Sequence, residues 1–164
     1  SSGAPPSGYT NIKWLIIGSG KERLMCEQYA KENNLLQDTM VMLPRVDKNL
    51  IPKYLSVMDT TILPGSTDII CPIKVVEYMA AKSVVLVPDY ECNREVVEDG
   101  VNGFLFKPFN EESMADIIVK ISKSKELCKN LGEEERKTVE QKFTLDKTYG
   151  ATLTKILDSI EGNS

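Results

Sequence analysis

Short apolar runs alternate with longer segments of helical periodicity over the first two-thirds of this chain. The apolar runs predict strands at residues 13–17, 39–43, 60–63, 84–87 and 103–106. The segments between them predict helices at residues 21–33, 50–57, 73–82 and 93–98. Strands separated by helices pair in parallel through right-handed crossovers, and the helices cover both faces of the sheet. The pattern therefore predicts an α/β fold, a Rossmann-like parallel sheet with helices on both faces.

The last third of the chain predicts helices alone, as a helical C-terminal segment at residues 111–122, 125–142 and 145–160. We expect Gly132 either to interrupt the middle helix or to separate two shorter ones. Residues 1–10 are rich in Ser, Gly and Pro, and we expect a linker or the remnant of an expression tag there. A chain of 164 residues is the size of one domain, so residues 11–164 are predicted to form a single one.

Charge and cysteine usage exclude several classes of function. The net charge is −4 and no cluster of Lys and Arg is present, which argues against nucleic-acid binding. There is no histidine and no C-x-x-C spacing, so we expect no metal site. No apolar stretch approaches the roughly 20 residues of a membrane span, and no signal peptide is recognised. We expect a cytoplasmic protein, with a peripheral position on the cytoplasmic face of a membrane as the alternative.

The turn Gly18-Ser19-Gly20 follows the first predicted strand and opens a helix, as in dinucleotide-binding folds. The third glycine of G-x-G-x-x-G is missing, because Arg23 stands in its place. A strand-to-helix turn often needs glycine for backbone geometry alone, and this reading is favoured here. A Walker P-loop is excluded because Lys21 is followed by Glu22 instead of Ser or Thr.

The segment at residues 72–81 is the strongest candidate for a ligand site. It predicts a helix that begins between two buried strands, with one lysine and one inward-facing glutamate. Such a helix start presents free backbone N–H groups and the positive end of the helix dipole, and parallel folds hold phosphates there. The sequence therefore predicts an anion site at this position.

Five blocks, in this order, resemble the C-terminal, donor-binding half of a GT-B-fold retaining glycosyltransferase of the family-four or group-one type. The blocks are LIIGSG at 15–20, VMLPRV at 41–46, IPKYL with MDTTILPGS at 51–66, PIKVVEYMAA at 72–81, and EVVEDGVNGFL at 95–105. The resemblance covers nearly the whole chain from about residue 12 to residue 143. It implies that the domain binds a nucleotide sugar, a UDP- or GDP-sugar, as substrate, with no other cofactor.

The resemblance also implies roles for residues of the helix start. Glu77 matches the second glutamate of the family's E-x7-E motif, which accepts hydrogen bonds from the ribose hydroxyls; the alternative is an ordinary surface glutamate. The backbone amides of Ile73, Lys74 and Val75 match those that contact the distal phosphate. Lys74 either adds a cation to that contact or is simply solvated.

The remaining implied site residues lie on loops. Pro44 and Arg45 match the loop whose backbone lies against the base, and Ser66 lies on the loop after the third strand, facing the same cleft. The first motif glutamate falls on Ile69, with Asp68 one place out of register. Asp68, backbone groups or nothing comparable could recognise the sugar, so its identity stays open.

Other departures from the family concern completeness and packing. The upstream Gly-Arg-like turn with its lysine and the N-terminal acceptor-binding domain are not found, so no catalytic residue is assigned in this half. The isolated domain is expected to be inactive, and the full enzyme to act on a glycan or a lipid-linked acceptor. Lys82 replaces the glycine that usually ends the helix, which should strain or lengthen the helix end.

Three alternatives stay open. The chain could be a non-catalytic nucleotide-binding or scaffold module, because Ile69 replaces a motif glutamate. It could be half of a GT-B-type nucleotide-sugar epimerase. A dinucleotide-binding domain of an oxidoreductase is disfavoured by Arg23 and by the lack of an acidic residue at the end of the second strand, where Leu43 and Pro44 stand.

Overall fold

A computed structural model describes residues 12–36, 39–65 and 73–150. The chain divides into two compact units, Ser1–Lys53 and Tyr54–Ser164. Each unit contains parallel strands connected by helices, which confirms the predicted α/β class.

The first unit contains a two-stranded parallel sheet. Strand β1 (Trp14–Ile17) is followed by helix α1 (Arg23–Glu32) and strand β2 (Met40–Leu43). The last residues of the two strands, Ile17 and Leu43, are partners in the register. The loops that follow β1 and β2 therefore leave from the same, carboxyl, edge of this sheet. A 3-10 turn (Lys48–Leu50) leads into helix α2 (Ile51–Leu55), within which the boundary between the two units falls.

The second unit contains a three-stranded parallel sheet with β4 in the middle. Its strands are β3 (Thr60–Ile62), β4 (Val84–Pro88) and β5 (Phe104–Phe106), in the order β3-β4-β5. Helix α3 (Ile73–Ala80) connects β3 to β4, and the short helix α4 (Glu91–Arg94) connects β4 to β5. All five residues of β4 are buried, as expected for a central parallel strand with an unbroken apolar sequence.

Both faces of this sheet are covered by apolar side chains. On one face Val85 and Val87 belong to a cluster with Val75 and Met79 of α3. On the other face Val84 and Leu86 belong to a second cluster, which also contains Phe104, Phe106, Ile121 and Leu131. Successive residues of a strand point to opposite faces, so the four consecutive valine and leucine residues of β4 supply both cores.

Two long helices complete the described part of the second unit. Helix α5 (Glu111–Ser122) and helix α6 (Lys125–Lys142) begin where predicted, each with a side-chain N-cap, Asn110 and Ser124 respectively. A π-helical turn follows at Asp146–Gly150, and the rest of the helix predicted at 145–160 lies outside the described residues. Helix α4 (Glu91–Arg94) begins earlier and is shorter than the helix predicted at 93–98. The buried Asn93 side chain donates to Pro88 O at 2.8 Å and holds this turn against the end of β4.

The predicted interruption at Gly132 is wrong, since α6 runs through it without a break. A Cβ atom at this position would lie 2.4 Å from the carbonyl oxygen of Lys82. Gly132 is therefore needed for the close approach of α6 to the turn after α3, a requirement that comes from tertiary packing and not from the helix itself.

The end of α3 shows the effect of the lysine that replaces the expected glycine. The helix ends at Ala80 and is not lengthened, and Lys82 takes the left-handed conformation with φ +62°. Helix α6 supports this strained turn, because Arg136 Nη1 donates to Ala80 O at 2.7 Å and Lys82 Nζ pairs with Glu133 at 2.8 Å. The strain expected from the sequence is thus present and is held by neighbouring contacts.

Among the helices of the described residues, none combines the length and apolar character that crossing a membrane requires.

Candidate functional site

The amino end of α3 lies at the carboxyl edge of the three-stranded sheet. The three residues Ala81–Ser83 join the end of α3 to the start of β4, so the carboxyl end of the helix lies at the amino edge of the sheet. The eight residues of α3 span about 12 Å, which returns its first turn to the opposite edge. The first amides of an α-helix have no acceptor within the helix, so those of Ile73, Lys74 and Val75 can bind an anion.

Burial fixes this helix while leaving its candidate ligand-binding face open. Val75 and Met79, one turn apart, have no exposed surface, and they anchor α3 on the sheet. Ile73 is 69% exposed, and Lys74 and Glu77 are exposed as well. When a ligand covers the exposed side chain of Ile73, no polar group of that side chain loses its hydration. The backbone amides are thus held rigidly beside side chains that solvent can reach.

Glu77 lies one helical turn beyond Ile73 on the same exposed face. The predicted inward orientation of Glu77 is wrong: the residue is exposed, because Val75 and Met79 take the buried face and position 77 points about 200° away from Val75 around the helix. Within the residues that the structure describes, its carboxylate forms no side-chain hydrogen bond or ion pair. Burial, with a smaller contribution from the charge of Glu77, raises the pKa of Tyr78.

Lys74 stands beside these amides as an exposed cation. Over residues 12–36, 39–65 and 73–150 the structure contains no ion pair that involves Lys74. An ammonium group at the first turn of a helix is opposed by the positive end of the helix dipole, so an anion bound there would relieve an unfavourable interaction.

Pro44 and Arg45 belong to the first unit, where they directly follow β2 and are exposed. They leave the carboxyl edge of the two-stranded sheet beside the turn Gly18–Gly20, which follows β1. Ile73, Lys74, Val75 and Glu77 all belong to the second unit and lie together on the first turn and a half of α3. Ser66 and Asp68, with their neighbours Thr67 and Ile69, lie outside the described residues.

Two groups of side chains at these carboxyl edges were not predicted as functional from the sequence. In the second unit Arg94 Nε pairs with Asp89 Oδ1 at 2.6 Å, just after β4. The hydrogen bond from Arg94 lowers the pKa of Asp89. In the first unit the Arg23 side chain reaches the ends of both β1 and β2. No local signal indicates either group, because Asp89 and Arg94 are five positions apart, outside the i,i+3 and i,i+4 spacings of helical ion pairs.

Comparison with known proteins assigns a family. Residues 6–138 match the family model described as "Glycosyl transferases group 1". UDP-glycosyltransferase TURAN of Arabidopsis thaliana is 30% identical over 114 residues, which are 63% of this chain and 22% of the relative. Chitobiosyldiphosphodolichol beta-mannosyltransferase of Dictyostelium discoideum is 31% identical over 101 residues, which are 59% of this chain and 20% of the relative. The chain thus spans about a fifth of these two curated relatives.

Solved structures with the same fold include HepE of Anabaena in complex with UDP, which has a TM-score of 0.81 at 20% identity. The match covers 96% of this chain and 43% of HepE. The C-terminal domain of the group 1 glycosyl transferase LpcC of Francisella tularensis has a TM-score of 0.74, also at 20% identity. That match covers 84% of this chain and 73% of the LpcC domain. At this level of identity the likeness shows the fold alone.

Proposed function

This chain belongs to the group 1 glycosyl transferase family, and from that premise we propose that the amino end of α3 binds the nucleoside diphosphate of a sugar donor. The observation that carries the proposal is the first turn and a half of α3. It combines amides without helical acceptors, the exposed cation Lys74 and the exposed carboxylate of Glu77, on a helix anchored by Val75.

Each part of this helix suits one part of a nucleoside diphosphate. The amides of residues 73–75 and the helix dipole suit the distal phosphate, with Lys74 as a further positive charge. A carboxylate accepts two hydrogen bonds from neighbouring hydroxyls, so Glu77 suits the ribose diol. Glu77 lies four positions after Ile73, a rise of about 6 Å along the helix, which separates the two functions by one turn.

The same groups would act during transfer. The nucleoside diphosphate leaves with added negative charge, and fixed N–H donors that face this charge stabilise the transition state. Glu77 would hold the ribose and thereby keep the phosphates on the helix end. We propose that the donor is a UDP- or GDP-sugar; HepE, which shares the fold, has been solved with UDP and with UDP-glucose.

We propose that the groups that bind the acceptor and complete the reaction lie in a part of the enzyme outside this chain. We propose that a further, acceptor-binding domain completes the enzyme, since the chain spans 43% of HepE. The acceptor is proposed to be a glycan or a lipid-linked sugar, and the relative from Dictyostelium is named for a lipid-linked substrate. Transfer is proposed to retain the anomeric configuration of the donor. By itself the chain is expected to bind the donor and to catalyse no transfer.

Calorimetric titration with UDP, GDP and ADP tests the proposal. One of these nucleotides should bind in preference to the others. Glu77→Ala should lower the affinity for that nucleotide by about 10- to 100-fold, the loss expected for hydrogen bonds to a charged group. Glu77→Gln keeps one acceptor oxygen and should weaken binding less. Glu126→Ala, an exposed glutamate of α6, is the matched control and should leave the affinity unchanged.

A folded chain that binds none of the three nucleotides would contradict the donor-site proposal and would favour a scaffold module. Binding that Glu77→Ala leaves unchanged would contradict the role of Glu77 alone.

A further inference from the structure

The guanidinium group of Arg23 contacts three backbone carbonyl groups at the carboxyl edge of the two-stranded sheet. Arg23 Nη1 donates to Gly18 O at 2.7 Å and to Leu43 O at 2.6 Å, and Nη2 donates to Met42 O at 3.3 Å. The remaining donor, Nε, pairs with Glu27 Oε1 at 2.6 Å, one turn along α1. The Arg23 side chain is only 24% exposed.

These contacts join the points at which two loops begin. Gly18 is the first residue after β1, and Leu43 is the last residue of β2. The Gly18 N–H also donates to Leu43 O at 3.1 Å, so this carbonyl accepts from both the ladder and the guanidinium. A planar fork with several fixed donors can hold adjacent carbonyls at once, which an ammonium group cannot do in the same geometry.

The loop after β2 needs such support because its first residue is a proline. Pro44 has no backbone N–H, so the ladder of hydrogen bonds cannot continue through it. Both Pro44 and Arg45 are exposed, and little burial fixes them. The carbonyls of Met42 and Leu43 are the backbone groups that directly precede this loop, and both accept from Arg23.

We propose that Arg23 is a positioning residue that fixes the Pro44–Arg45 loop against the Gly18–Gly20 turn and thereby sets the affinity for the nucleobase of the donor. The inference rests on the proposed function and on the family resemblance of the sequence, which implies that the backbone of this loop lies against the base. The position at which a dinucleotide-binding fold would carry its third glycine would then serve a different purpose, that of holding two loops together.

Two variants separate the carbonyl contacts from the ion pair. Arg23→Met keeps a long apolar stem but removes all donors, whereas Glu27→Gln, the matched control, leaves the contacts to Gly18, Met42 and Leu43 intact. Calorimetry on the chain should show that Arg23→Met lowers the affinity for UDP by about tenfold or more. The affinity for inorganic pyrophosphate, which has no base, should change by less than about twofold. Glu27→Gln should leave both affinities within about twofold. If Arg23→Met does not fold, Arg23→Lys, which keeps the charge but not the fork, takes its place.

Backbone amide hydrogen exchange without nucleotide tests the same positioning independently. Arg23→Met should accelerate exchange at Arg45 and Val46, and Glu27→Gln should not. The proposal would be overturned if Arg23→Met lowered the affinities for UDP and pyrophosphate equally, or if it left amide exchange at Arg45 and Val46 unchanged. If the unmodified chain binds no nucleotide, the proposed function and the effect on the base fall together. Faster exchange would then support the positioning of the loop alone.

Discussion

Glu135 of α6 should make the stability of this protein fall as the pH rises. The residue has no exposed surface, and Oε1 accepts the backbone N–H of Val85 at 2.8 Å, at the start of the buried strand β4. Its other oxygen, Oε2, has no hydrogen-bond partner within the described part of the protein. Burial raises the pKa of Glu135 from 4.5 to about 9, against the opposing effect of the hydrogen bond from Val85. The folded protein therefore keeps this carboxyl protonated at neutral pH.

The sign and the size of the effect follow from proton linkage. Between pH 4.5 and about 9 the unfolded chain releases this proton and the folded chain retains it, so unfolding releases a proton. Each pH unit in this window then lowers the free energy of unfolding by about 1.4 kcal/mol. Between pH 5 and pH 8 the loss should reach about 4 kcal/mol.

The variant Glu135→Gln removes the titration but keeps an acceptor for the Val85 N–H. Urea unfolding followed by far-ultraviolet circular dichroism at pH 5, 6, 7 and 8 should show the variant gaining stability over the parent with each step, by about 4 kcal/mol across the range. Glu134→Gln, an exposed neighbour on the same helix, should show a constant difference. A difference for Glu135→Gln that does not change with pH would refute the reasoning, because the carboxyl would then be ionised in the folded protein.

Two further predictions concern the turn after α3. Gly132→Ala should lower the free energy of unfolding by about 2 kcal/mol, since the added Cβ would overlap the Lys82 carbonyl. Gly20→Ala, which has open space around its Cβ position, should change the free energy of unfolding little. Equal effects of the two variants in urea unfolding would contradict the close approach of α6 to this turn. Lys82→Gly should raise the thermal unfolding midpoint, because about 1 kcal/mol of left-handed strain is removed and only an exposed ion pair with Glu133 is lost. A lower midpoint would show that this ion pair outweighs the strain.

The sequence predicted the features that depend on local pattern. The unbroken apolar run of β4 identifies a buried parallel strand wherever it lies, and helical periodicity located the starts of α5 at Glu111 and α6 at Lys125. The strained turn at Lys82 was also foreseeable, because lysine stands where the resembled family carries the glycine that ends this helix in the left-handed conformation.

The features that were missed depend on contacts between segments far apart in the chain. Gly132 does not interrupt its helix, since the glycine serves an approach to Lys82, 50 positions away. The orientation of Glu77 was misjudged because the face of α3 that is buried depends on the packing of Val75 and Met79. Arg23 was counted only as a missing glycine, and its contacts to Met42 and Leu43 join residues about 20 positions apart.

The central claim, that the first turn of α3 binds the diphosphate of a donor, is tested most directly by amide nuclear magnetic resonance during titration with UDP. The largest shifts among the assigned amides of α3 should fall on Ile73, Lys74 and Val75. Inorganic pyrophosphate should produce the same shifts, and Glu77→Ala should require more UDP to produce them. A titration in which UDP binds but leaves these three amides unmoved would contradict the account.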